Sequence, residues 1–311
     1  MKKIWYYLKD HLQQDFHPRQ YGYTLGFLVV CITLNYMFKF EDRNLETMDG
    51  YWKFVAYFIF YSLPYFTAIF IYTHFKKQKY IFTLPDFWIK SLFGMTVLSL
   101  DSSVPFLSKL VYGNLPGKLH LWAWKVSING ISFFTVLIPI LLFYYFYDRQ
   151  QKHVYGLNAK QFDMRPYFIM LLLMFPLLLG ASFTDSFLRQ YPMYKTSQAH
   201  LFLNVPEFVT AGIYEVAYGL DFITVEYLFR GFLVIGMMSV LGRGAVLTMA
   251  VVYCVLHFGK PAGEAISSIF GGFILGVVAY ETKSVWGGVI VHMGIAWMME
   301  ALAFIQKLLI D

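Results

Sequence analysis

Apolar residues run along this 311-residue chain in long continuous stretches separated by short polar patches. Nine stretches stand out, near 21–38, 54–74, 87–106, 127–147, 166–184, 208–238, 245–257, 263–280 and 285–306. Several approach the ~20 apolar residues that carry a helix across a bilayer. Their continuity argues against a transmembrane β-barrel, whose strands alternate apolar and polar positions. The pattern predicts an all-α fold, a polytopic bundle of about 8–9 transmembrane helices. The third stretch is the most polar, with Asp86, Lys90 and Asp101 in or beside it. The sixth is long and contains Gly212, Gly219 and Asp221, which predict two helices meeting near Gly219-Leu220-Asp221. The first twenty residues carry Lys2, Lys3, Lys9, Asp10, Asp15 and Arg19 and predict an amphipathic, surface-lying lead-in to an uncleaved first span.

The chain changes character near residue 205. Residues 1–205 form a transmembrane region with ordinary loop charges and no motif that can be placed. Residues 206–311 have very short loops and hold the buried polar residues, which marks them as a core. Gly271, Gly272 and Gly276 fall near one face of a helix, and Gly287-Gly288 follow one segment later. Small residues let membrane helices approach closely, so these positions predict tight packing.

Composition agrees with the pattern. The chain is 58% hydrophobic and 14% charged, with a mean hydropathy of +0.52; soluble domains carry about 25% charged residues. The net charge of +6 fits basic cytoplasmic loops. No compact basic patch with stacking aromatics is visible, so nucleic acid is not an expected partner. Loops on the side of the N-terminus hold the excess of Lys and Arg, including Lys76, Lys77, Lys79, Arg149, Lys152 and Lys160. They predict a cytoplasmic N-terminus. The expected location of this multi-pass protein is a bacterial inner membrane. The two cysteines, Cys31 and Cys254, lie inside apolar stretches and read as packing residues rather than a disulfide framework.

Against this background Glu226 and Arg230 stand apart, one helical turn apart in Thr224-Val225-Glu226-Tyr227-Leu228-Phe229-Arg230-Gly231. A charge in a bilayer costs roughly 2.5–3.5 kcal/mol on insertion scales. An acid four residues before a base is the favourable helical order, and a structural ion pair without chemistry is one reading of it. His257 closes the seventh stretch, with Tyr253 one turn back and Gly259-Lys260-Pro261 ending the helix. His292 sits mid-stretch, where an imidazole can act as base, acid or ligand. Two histidines and a carboxylate suit either zinc or metal-free activation of water. No His-Glu-x-x-His spacing is present, so no metal and no cofactor are expected. No Gly-x-Ser-x-Gly setting supports a serine nucleophile.

Taken together, Glu226 with Arg230, Tyr253-x-x-x-His257, and His292 on a late helix resemble the CAAX prenyl protease and bacteriocin-processing family of intramembrane glutamic endopeptidases. The resemblance covers roughly 206–305. It implies hydrolysis of a membrane-associated peptide or protein beside or within the lipid bilayer. It assigns water activation to the first motif glutamate and to His257, the oxyanion site to His292 and an asparagine, and support to Glu226 with Arg230. The chain departs from the family pattern at two positions: Val225 stands where the first glutamate is expected, and Ala296 where the asparagine is. Three readings follow. Glu226 works as the base in a variant geometry; another carboxylate (Glu215, Asp221, Glu264 or Glu300) reaches in, Glu300 being best placed; or the site is inactive and the fold serves as a membrane binding or scaffolding partner. A proton or solute transporter is a further class, against which no duplicated half is visible.

Overall fold

The computed structural model describes residues 2–103, 110–158 and 163–310, and all regular structure among them is helical. A helix α1 (Lys2–Asp15) precedes nine elements that coincide with the nine apolar stretches. These are α2 (Pro18–Phe38), α3 (Gly50–Phe75), α4 (Pro85–Ser103), α5 (Gly117–Phe146), α6 (Arg165–Ser182), α7 (Glu207–Leu241), α8 (Gly244–Leu256), α9 (Ala262–Thr282) and α10 (Trp286–Ile310). Residues 104–106 of the third predicted stretch, and Lys160, lie outside the described residues. Among the described residues seven elements are long and apolar enough to span a membrane: α2, α3, α5, α6, α7, α9 and α10. The protein is a multi-pass integral membrane protein.

The two remaining elements fall short for different reasons. In α4 the charges that marked its sequence persist, and Lys90 is buried at 1% side-chain exposure. Its ammonium pairs with Asp148 at 2.8 Å and donates to the Gly236 carbonyl at 3.2 Å. In α8, 13 residues span only about 20 Å at 1.5 Å per residue, less than the ~30 Å of a hydrocarbon core. It can be that short because Gly244 through Val255 are all buried in protein, so no backbone end meets lipid.

The predicted break near Gly219-Leu220-Asp221 is not found. Helix α7 runs through these residues, and Gly219 is instead the contact point for Trp297 of α10: a Cβ there would lie against the indole. Trp297 Nε1 also donates to the Glu215 carbonyl at 3.1 Å. Close approach, not a break, is what the glycine supplies. The irregularity lies further on, where Tyr227–Gly236 forms a ten-residue π-helical segment. Such segments are rare and occur often at functional sites. Two donors from other elements, Lys90 Nζ and Gln151 Nε2, meet the Gly236 carbonyl at its end, each at 3.2 Å. The turn around Tyr155 lies across it, where Gly231 leaves space for the Tyr155 carbonyl and Gly236 for its ring.

Helix α7 is the most enclosed span, 78% buried along its apolar stretch, against 11% for the largely exposed α6. Helices α8, α9 and α10 pack against it, as do α4 and α5. The glycine prediction holds for Gly272, packed on Tyr253 and Ala250, and for Gly276, packed on Met249 and Val246. Gly271 faces open space. At one end of the bundle Arg243, in the α7–α8 turn, pairs with Asp10 of α1 at 2.9 Å and with Glu281 of α9 at 2.7 Å. The N-terminal helix is thereby docked on the bundle, with Ile4, His11 and Asp15 buried. Both cysteines are free.

Candidate functional site

The site forms where α7, α8 and α10 meet. Glu226 is the last residue of the regular part of α7 and Arg230 lies in the π-helical segment that follows; both are fully buried. Arg230 Nη1 donates to Glu226 Oε1 at 2.8 Å. The same oxygen accepts from His292 Nδ1 of α10 at 3.1 Å. Glu226 Oε2 meets no donor among the described residues and rests against Gly288, where any Cβ would overlap it. The carboxylate is therefore fixed from three sides, by a guanidinium, an imidazole and a bare glycine backbone.

Tyr253 of α8 is the hub of the remaining contacts. The Arg230 guanidinium lies over its ring, 4.2 Å from the centroid, a cation–π geometry that shelters a buried charge. Its hydroxyl is 3.2 Å from His292 Nε2 and 3.4 Å from Nδ1. Since Nδ1 already serves Glu226, Nε2 is the nitrogen free to accept from the phenol. Its backbone carbonyl accepts from His257 Nδ1 at 2.8 Å. A carbonyl only accepts, so Nδ1 of His257 carries the proton and Nε2 presents a lone pair.

His257 caps the C-terminus of α8 and is half-buried. The turn that carries it is fastened by α2: Asn35 Nδ2 donates to the Phe258 carbonyl at 3.0 Å and the Tyr36 hydroxyl to the Lys260 carbonyl at 2.7 Å. Its ring lies 4.6 Å from that of Tyr253. Glu226, Arg230, Tyr253 and His292 thus form one connected group, and His257 joins it through Tyr253 rather than by touching Glu226.

The other carboxylates are occupied elsewhere. Glu300, the best placed in sequence, accepts from the backbone N–H groups of Met193 at 2.6 Å and Tyr194 at 3.2 Å, and lies beside Glu215. Asp221 accepts from Thr224 at 3.0 Å. Glu264 accepts from the Tyr191 hydroxyl at 3.0 Å, and burial first, then Glu264, holds that phenol well above its usual range, so it stays a donor. Among the described residues none of the four hydrogen-bonds to Glu226, His257 or His292. Val225 packs against the apolar core and Ala296 is buried at 4% exposure.

Three contributors were not singled out as site residues in the sequence. Phe222 packs its ring 4.2 Å from that of His292, and Phe229 packs 5.1 Å from Tyr253. Gly288 cradles Glu226. Phe222 and Gly288 each lie four residues before a site residue on the same helix, which places them on its face. That spacing was the available signal.

Residues 210–298, which contain all five of these polar residues, match the family model described as type II CAAX prenyl endopeptidase, Rce1-like. No curated protein and no solved structure matches the chain.

Proposed function

We propose that this chain, a member of the CAAX prenyl protease family through residues 210–298, is an intramembrane endopeptidase that hydrolyses a membrane-associated peptide or protein without a metal. The observation that carries the reading is the shared oxygen of Glu226, held at 2.8 Å by Arg230 and at 3.1 Å by His292. A carboxylate fixed in this way sets the tautomer and orientation of His292, as an acid behind an imidazole does in hydrolytic triads. Glu226 then acts as a positioning residue behind His292, which fits the supporting place it holds in the family pattern. His257 Nε2, with its lone pair exposed by the bond from Nδ1 to the Tyr253 carbonyl, takes the proton from water. His292, oriented by Glu226, belongs to the group that stabilises the charge developing on the scissile carbonyl oxygen. Residues 206–311 form the hydrolytic core, and the helices of 1–205 enclose it. The N-terminus lies on the cytoplasmic side of a bacterial inner membrane.

His257→Ala and His292→Ala test this in proteoliposomes with a quenched-fluorescent farnesylated CAAX peptide as probe. Both variants are expected to insert normally and to lose cleavage; unchanged cleavage in both overturns the proposal. Val225 and Ala296 support a second reading, an inactive relative that holds or presents other membrane proteins. In that case the wild type leaves the peptide intact, and Val225→Glu with Ala296→Asn gains hydrolysis.

A further inference from the structure

The structure assigns to Tyr253 a role beyond packing: we infer that its hydroxyl is the donor that meets the developing oxyanion. The inference rests on the endopeptidase reading and specifies which atom at that site faces the substrate. Both nitrogens of His292 are already committed within the protein, Nδ1 to Glu226 Oε1 at 3.1 Å and Nε2 to the Tyr253 hydroxyl at 3.2 Å. No N–H of His292 remains to reach a scissile carbonyl, so the donor to the oxyanion must be the group it touches. That group is a phenol 5% exposed, between the rings of His257 and His292 and backed by a guanidinium 4.2 Å away. Ala296, one turn beyond His292, has no polar atom on its side chain to offer instead.

The steps balance as follows. The water oxygen bonds to the carbonyl carbon while one of its protons passes to His257 Nε2. The carbonyl π pair moves onto oxygen, and the Tyr253 O–H turns from His292 Nε2 to that oxygen. Collapse of the adduct reforms the C=O bond and breaks the C–N bond. His257 then returns its proton to the amine nitrogen, and Tyr253 keeps its own proton throughout. The rotation is favourable because it exchanges a neutral hydrogen bond for a charge-assisted one roughly twice as strong.

Tyr253→Phe keeps the ring over Arg230 and against Phe229 and removes only the hydroxyl. With the farnesylated CAAX peptide in proteoliposomes, kcat is expected to fall about 10²–10³-fold, the loss typical of one oxyanion donor, with KM changed little. Melting temperature should match the wild type. A second probe, 3,5-difluorotyrosine at 253, keeps fold and hydroxyl but makes the phenol more acidic; the alkaline limb of the rate profile should move to lower pH. Active wild type with Tyr253→Phe within about five-fold of it, or an unmoved alkaline limb, overturns the role of Tyr253 and leaves the endopeptidase reading standing. Wild type that does not cleave the peptide overturns the endopeptidase reading itself, and the inference with it.

Discussion

The pair Glu226–Arg230 should behave as one unit in stability and as two separate parts in activity. Its side chains are 0% and 1% exposed, so removing either partner strands a charge in a low dielectric. Such a loss costs about 3–5 kcal/mol in buried pairs. The lower end is expected here. In Glu226→Met the Tyr253 ring, at 4.2 Å, still shelters the guanidinium, a contact worth about 2 kcal/mol when desolvated. In Arg230→Met, His292 still meets the carboxylate at 3.1 Å. The double variant leaves no buried charge and replaces the pair with apolar side chains of similar length, which is often close to neutral. Its cost should lie well below the sum of the single costs, so that the coupling energy approaches that sum. Unfolding free energies from detergent-micelle titrations with SDS measure all four corners of the cycle. Activity should not follow stability: the double variant regains its fold but stays silent, because His292 has lost the group that orients it. Additive costs, with coupling below about 0.5 kcal/mol, would refute the pairing. Activity restored in the double variant would refute the orienting role of Glu226.

Two further outcomes follow from other contacts. Gly288→Ala places a methyl group on Glu226 Oε2 and, because that oxygen is confined by Arg230 and His292, should cut cleavage at least ten-fold; Gly271→Ala, open to space, should not, and equal activity in the two would remove the cradle argument. His11 in α1 is fully buried, and burial first, then Asp15 and Arg243 acting in opposite directions, brings its pKa down to about 4. Its folded value lies below its unfolded one of about 6.5, so the folded state binds fewer protons in that window. Docking of α1 should therefore weaken as pH falls from about 6.5 to 4, seen as faster amide exchange over residues 2–15, while His11→Phe should lose this dependence; a flat profile in the wild type would contradict it.

The positions of the seven spanning helices were legible because lipid imposes one rule on every span: a continuous apolar run with internally satisfied backbone. That rule is local, so sequence alone carries it. Which spans face lipid was not legible, since α6 and α7 are both apolar and only their neighbours distinguish them. The fate of Gly219 was misread for the same reason: a missing Cβ looks alike whether the helix breaks or another side chain fills the space, and Trp297 fills it. The ten-residue π segment had no signature in the sequence; the donors that meet its last carbonyl, Lys90 and Gln151, come from distant parts of the chain.

The site divides along the same line. The sequence by itself determined the inventory: Glu226 and Arg230 paired by helical spacing, Tyr253 one turn before His257, and His292 on a late helix. Charged and imidazole groups are conspicuous in an apolar chain because burying them is costly. Only the tertiary structure decided the connections: one oxygen of Glu226 shared by Arg230 and His292, both nitrogens of His292 engaged, and Glu300 drawn away to the backbone of Met193 and Tyr194. Hydrogen bonds across 39, 66 and 107 residues of sequence separation are set by how helices pack, and packing depends on the whole set of side chains at each interface rather than on any single stretch.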